Sequence, residues 1–295
     1  MKSIRNAARA LALFSAEHAS LSVTDVSEAL DISMSVASRT LSTLRNEGLL
    51  EQDASRRYRP GIVANQLGLI YRSQNKLPEL IVQAARELTS LSGLTTWTSV
   101  LSQTDVLLLA RFGGNSQHQY QVDPGSRLPA HASASGKALL ARLSDHEIRR
   151  MYSSPELAAR TKKSISQLGD LLSDLALVRM RGWSEVNEEL FLGTRSLGAA
   201  IQGLNEPTAM AISVSFPVSH FGESDVKEIA NKLMATCREV GCRVGDPCWT
   251  NSKTNGGVFD VHASGQRAGN PARTAKSSSG KKQPRQLAKQ TSRAK

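Results

Sequence analysis

The sequence predicts an α+β protein in three zones: short helices with a basic hairpin, a mostly antiparallel sheet flanked by helices, and a disordered basic tail. Three observations predict it. Apolar residues recur at helical spacing over residues 23–47 and alternate in short runs beyond residue 95. Asn75-Lys76-Leu77 stands before Pro78 as a joint between the two patterns, because residues before proline avoid the helical region. After Phe259 large apolar side chains almost vanish, so that segment buries too little surface to offset the entropy of ordering. The predicted units are 1–75, a linker helix over 76–92, 93–249, and the tail 250–295.

The first zone carries the most local chemistry. Met1 to Asn6 lead into an Ala-rich helical stretch that carries Arg5, Arg9 and Glu17, unlike the uninterrupted apolar core of a signal peptide. Ser22 and Asp25 form a capping pair for a short helix, Val23–Leu30. Asp31-Ile32-Ser33 makes a tight turn, and Ser33 is placed to cap a second helix reaching about Glu47. On that helix Ala37, Leu41 and Leu44 make one apolar stripe. Ser35, Ser38, Arg39, Ser42, Arg45 and Asn46 fall on the outer face.

That outer face suits the major groove of double-stranded DNA. Hydroxyls reach phosphates or base edges, and Arg39 offers a bidentate contact to guanine. Leu49-Leu50-Glu51, a turn near Asp53-Ala54-Ser55, and the basic run Arg56, Arg57, Tyr58, Arg59 read as a two-stranded wing whose three arginines are expected to lie along the DNA backbone or reach into the minor groove. A single amphipathic helix fits any small bundle. Two helices across a three-residue turn, followed at once by a basic hairpin, favour a winged helix-turn-helix.

In the second zone a helix is expected over Pro78–Leu91, with strands at Thr95–Leu101, Val106–Phe112, Gln117–Val122, Leu197–Gln202 and Ala209–Phe216. Further helices are expected at Ser135–Arg142, Asp145–Tyr152, Ile165–Arg181 and Ser224–Val240. Ser213 and Ser215 alternate along one strand and therefore project from one face.

Composition narrows the function classes. With 40% hydrophobic and 21% charged residues in 295, the chain has room for two domains with their own cores. It lacks the 18 or so consecutive apolar residues of a membrane helix, and the expected location is cytoplasmic and nucleoid-associated. Cys237, Cys242 and Cys248 have no usual zinc spacing, and neither metal nor cofactor is expected. From Thr250 onward ten Lys or Arg face Asp260 alone, so nine of the eleven net positive charges belong to the tail. The overall charge by itself therefore does not establish a DNA-binding domain.

The segment from Ser3 through Gly61 resembles the N-terminal domain of the IclR family of bacterial regulators. GSRLPAHASASGKALLA, from Gly125, resembles that family's sensor signature, and RGWSEVNEELFLGTRSLGAAIQG followed by TAMAISVSFPVSHF resembles its second signature region. The likeness runs in order over about residues 3–245. It implies a winged helix-turn-helix, a linker helix and a GAF-like effector domain, assembled as a homodimer or homotetramer on palindromic operators.

By the same resemblance, backbone amides at Ala134 and Ser135 receive a carboxylate or similar acceptor of a small-molecule effector. Ser196, Ser213, Ser215 and Asn187 complete the pocket, and Val186 stands where some members carry an aspartate. His131 is read as structural, and no catalytic residue is expected. A thiol enzyme on a GAF-like domain is a rival reading, needing cysteines at the pocket. The tail from Ala272 is similar to a core-histone N-terminal tail, through Thr274-Ala275-Lys276, Ser278-Ser279-Gly280-Lys281, Pro284-Arg285 and Gln286-Leu287-Ala288. Three readings stay open for it: chance likeness among basic tails, non-specific DNA attraction, or histone mimicry addressed to chromatin-modifying enzymes in a host nucleus.

Overall fold

A cap made entirely from local sequence opens the N-terminal head. In the computed structural model, which describes residues 2–113, 122–204 and 206–250, Asp25 N–H donates to Ser22 Oγ at 3.1 Å and Ser22 N–H donates to Asp25 Oδ2 at 2.8 Å. This reciprocal capping box starts α2 (Val23–Leu30), between α1 (Lys2–Leu11) and α3 (Met34–Asn46). The backbone amide from Ser22 is the main reason the Asp25 carboxyl lies below its ordinary range. Ser33 occupies the cap position of α3, but its hydroxyl makes no cap bond and instead meets Ser35 Oγ at 3.1 Å. The expected Ser33 cap is therefore corrected: Ser35 competes for the hydroxyl.

The three helices and the hairpin β1 (Leu50–Gln52) and β2 (Tyr58–Pro60) close one small core. Ala10, Val26, Leu30, Ala37, Leu41, Leu44, Leu50 and Tyr58 fill it, so the stripe read from the sequence is the buried one. The hairpin is followed by a helix that the sequence reading lacks, α4 (Ile62–Gln74). It has no buried residue, and Ile62, Leu67, Leu69, Ile70 and Tyr71 are exposed. Next, α5 (Lys76–Ser92) starts two residues before Pro78, which is tolerated because the first-turn amides have no intrahelical acceptor to lose.

The second zone is a six-stranded antiparallel sheet in the order β5-β4-β3-β8-β7-β6. Its strands are β3 (Thr95–Ser102), β4 (Asp105–Phe112), β5 (Arg127–Pro129), β6 (Ser184–Asn187), β7 (Thr194–Ile201) and β8 (Met210–Pro217). Its helices are α6 (Ala134–Leu140), α7 (Asp145–Met151), α8 (Leu168–Arg181), α9 (Glu223–Val244) and the short α10 (Pro247–Thr250). β5 and β6 were not foreseen, since runs of three and four residues are too short to display alternation.

Strand alternation divides this zone into two cores. Leu197, Ala199, Ile201, Ile212, Val214 and Phe216 pack against α5, α9 and Trp249. Ala200 and Ala211 face the opposite core, built with α6, α7 and α8. Of the expected strand Gln117–Val122 only Val122 is among the described residues, where it is not in a strand. The expected tail lies outside the described residues apart from Thr250. Among the described residues no helix is long and apolar enough to cross a membrane.

Candidate functional site

Two arrangements stand out, one on the surface of the head and one inside the sheet domain. On α3, Ser35, Ser38, Arg39 and Arg45 are exposed and Ser42 is half-buried. The Arg39 side chain makes no hydrogen bond or ion pair with the described residues, which leaves its guanidinium donors available. Arg45 donates to Gln52 Oε1 at 2.9 Å and to Asn46 Oδ1 at 3.3 Å, tying the end of α3 to the wing. Arg56 turns the hairpin with φ of 63°, and Arg59 pairs with Glu51 across the strands at 3.1 Å.

Arg57 differs from its neighbours in the basic run. Its Nε donates to Ser20 Oγ at 3.0 Å, while Nη2 donates to Ser20 O and to Asp25 Oδ2, both at 2.9 Å. Nε and Nη2 of this guanidinium fasten the wing to the cap of α2. The sequence displayed three arginines here, and only the fold distinguishes the one tied to the cap of α2.

Inside the sheet domain the concave side of β7 and β8 faces the start of α6, leaving a cavity. Its unfilled space amounts to about 530 Å³, solvent at the mouth included. Glycines set the closeness of the approach: a Cβ on Gly198 would stand 2.6 Å from Ala134 O, and one on Gly136 would stand 2.2 Å from Ala130 O. Ser184 Oγ pins the junction with one hydroxyl hydrogen shared between Ala134 O at 2.5 Å and Gly198 O at 3.1 Å.

Ala134, Ser135, Ser196, Ser213 and Ser215 all line this cavity. Ser196 stands opposite Ser215 in the β7–β8 register, and their hydroxyls are 2.9 Å apart. Asn187 is not in the wall: Val186 is, and alternation along β6 exposes the next residue. Trp97, Leu108, Leu128, Leu190 and Phe191 supply apolar surface that the sequence reading did not assign. Thr194 was likewise missed. Its hydroxyl is buried at the wall without a hydrogen-bond partner among the described residues.

Among the described residues the lining contains no Asp, Glu, Lys, Arg or His. Charge lies just behind it. Lys137 is 1% exposed, with Nζ at 2.7 Å from Glu189 Oε1 and 2.9 Å from Asp174 Oδ2. The first contact is a directed hydrogen bond; the second is a close charge contact without hydrogen-bond geometry at Oδ2. Burial raises the Glu189 carboxyl above its ordinary range, opposed by Lys137. No local pattern marked this lysine as buried.

His131 sits in the turn before α6, with Nε2 3.1 Å from Ala158 O and its ring edge-on to Tyr152. Burial lowers its pKa. The described cysteines belong to α9 and α10, away from the cavity wall, and burial pushes the Cys237 thiol up. The thiol-enzyme reading lacks its nucleophile there.

The model of the bacterial transcriptional regulator IclR C-terminal domain matches residues 71–242, and that of the IclR helix-turn-helix domain matches residues 3–54. The transcriptional repressor IclR of Escherichia coli K12 is 27% identical over 248 residues, covering 83% of this chain and 90% of that protein. The HTH-type transcriptional regulator BhcR of Paracoccus denitrificans is 29% identical over 221 residues, 75% of this chain and 79% of its own. These relatives are regulators and repressors, not enzymes.

Among solved structures, an IclR regulator from Silicibacter sp. TM1040 shares the fold with a TM-score of 0.76 at 22% identity, covering 82% of this chain and 96% of its own. An IclR homologue from Microbacterium hydrocarbonoxydans, crystallised with 4-hydroxybenzoate, has a TM-score of 0.65 at 19% identity, with coverage of 81% and 99%.

Proposed function

The chain belongs to the IclR family of bacterial transcriptional regulators, and from that premise we propose that it binds a palindromic operator as a dimer or tetramer under control of a small organic acid or aromatic metabolite. The observation that carries the effector reading is the cavity: hydroxyls from α6, β7 and β8 converge on one space whose other described walls are apolar and uncharged. Such a space suits a ligand with an apolar body and few polar groups. No charged side chain among the described lining residues neutralises a ligand, so a single carboxylate would depend on the amides at the start of α6.

In this reading the amides of Ala134 and Ser135 receive the ligand's acceptor, and Ser196, Ser213 and Ser215 bond its polar edge. Asn187 is left out, because it is exposed on the other side of β6. The aromatic-acid class draws support from the homologue that holds 4-hydroxybenzoate. On the DNA side, Ser35, Ser38, Arg39, Ser42 and Arg45 face the major groove, while Arg56 and Arg59 follow the backbone. A second copy covers the exposed apolar side chains of α4, which no described element of the same chain buries.

Effector control requires the ligand to prefer one placement of the two heads over the other. The test is selection of bound sites from a genomic DNA library, followed by titration of the chosen site with and without 4-hydroxybenzoate and related acids. Recovery of a two-fold symmetric site with ligand-dependent affinity is the expected result. Binding to DNA without sequence preference would overturn the operator reading, and affinity unmoved across the acid panel would overturn the effector reading.

A further inference from the structure

We propose that Lys137 is a positioning residue for the effector cavity, holding its apolar wall in register with its hydroxyl-bearing wall through Glu189. The proposal rests on the cavity being the effector site. Lys137 lies on α6 two residues after Ser135, which lines the cavity, and Glu189 immediately precedes Leu190 and Phe191, which line it from the other side. Consecutive Cα atoms are fixed about 3.8 Å apart, so the position of Glu189 constrains both apolar side chains.

A buried ammonium must keep a carboxylate, since an unpaired charge out of water is unstable. Lys137 has two, on different elements: Asp174 on α8 and Glu189 on the loop between β6 and β7. Asp174 therefore neutralises Lys137 whether or not Glu189 is engaged, and the loop can leave without stranding the charge. The backbone of that loop is held separately, with Thr161 Oγ1 donating to Glu188 O at 2.7 Å and Ser164 Oγ donating to Glu189 O at 2.6 Å. The Glu189 carboxylate joins it to the cavity-lining helix.

Hydrogen exchange of the full chain tests this, with Glu189→Asp, Glu189→Gln and Asp174→Asn as variants. Glu189→Asp keeps the charge and shortens the reach by one methylene. It is expected to speed exchange of the hydrogen-bonded loop amides of Glu188, Gly193 and Thr194 by about tenfold or more, as loss of a charged hydrogen bond implies, while α9 exchanges as in the unaltered chain. Glu189→Gln should act in the same direction, and Asp174→Asn should leave the loop protected. Unchanged loop exchange in both Glu189 variants would overturn the proposal, as would equal loosening by Asp174→Asn. These comparisons need no ligand. The cavity reading fails separately if 4-hydroxybenzoate and benzoate leave loop exchange in the unaltered chain untouched.

Discussion

The head and the sensor domain each contain an arginine–aspartate pair of nearly the same length, used for different purposes. Arg57 and Asp25 meet at 2.9 Å with both side chains 41% exposed. Arg142 and Asp246 meet at 2.8 Å with exposures of 9% and 0%. In the head water shares the charges, so the pair adds direction to a cap and a hairpin more than it adds stability. In the sensor, Asp246 also accepts the backbone amides of Gln202 and Cys248. It thereby fastens the end of β7 and the start of α10 to the segment after α6. The chemistry is one; solvent access decides what it does. The same contrast runs through both sites, with free donors on the outside of α3 and a cavity whose described lining is uncharged, backed by a buried lysine.

The contrast breaks most visibly at Asp246. Asp246→Ala leaves the buried Arg142 uncompensated and should cost the sensor about 3–5 kcal/mol, read from urea unfolding of the full chain; a loss below about 1 kcal/mol would mean that water reaches the pair. Arg39→Ala should weaken operator binding by about 1–3 kcal/mol while non-specific binding falls much less, measured by titrating both DNAs at fixed salt. Equal losses would take Arg39 out of base readout.

Asp25→Ala removes the cap partner and the exposed pair together, and about 1 kcal/mol of head stability should go with it. The smallest effect is in acid. His131 has a folded-state pKa below its ordinary 6.5, so the unfolded chain takes up a proton first as pH falls. Its contribution to sensor stability is intact above that value and declines below it. Thermal melting between pH 7 and 5 should show a slope that His131→Asn reduces, and identical slopes would assign the acid sensitivity elsewhere.

Much of the head was legible because its determinants lie within one or two helical turns. Ser22 and Asp25 are three residues apart and form their cap without outside help. The stripe Ala37, Leu41, Leu44 could be buried only on one side. Ser33 misled because a neighbouring hydroxyl took the bond. α4 was missed because its apolar residues serve no core among the described residues.

In the sensor the sequence marked Ser213 and Ser215 as sharing a face. It did not say that Ser196 would stand opposite Ser215, that Thr194, Trp97 and Phe191 would join the wall, or that Asn187 would face out.

By itself, then, the sequence determined the family, most of the longer elements and their order, and which side chains within an element lie together. Backbone geometry and periodicity act over a few residues and need no distant partner. Tertiary structure decided which arginine of the wing is spent, which serines meet across strands, and that Lys137 is buried between two carboxylates. Those outcomes depend on desolvation and charge pairing, and both are set by residues that come from tens of positions away.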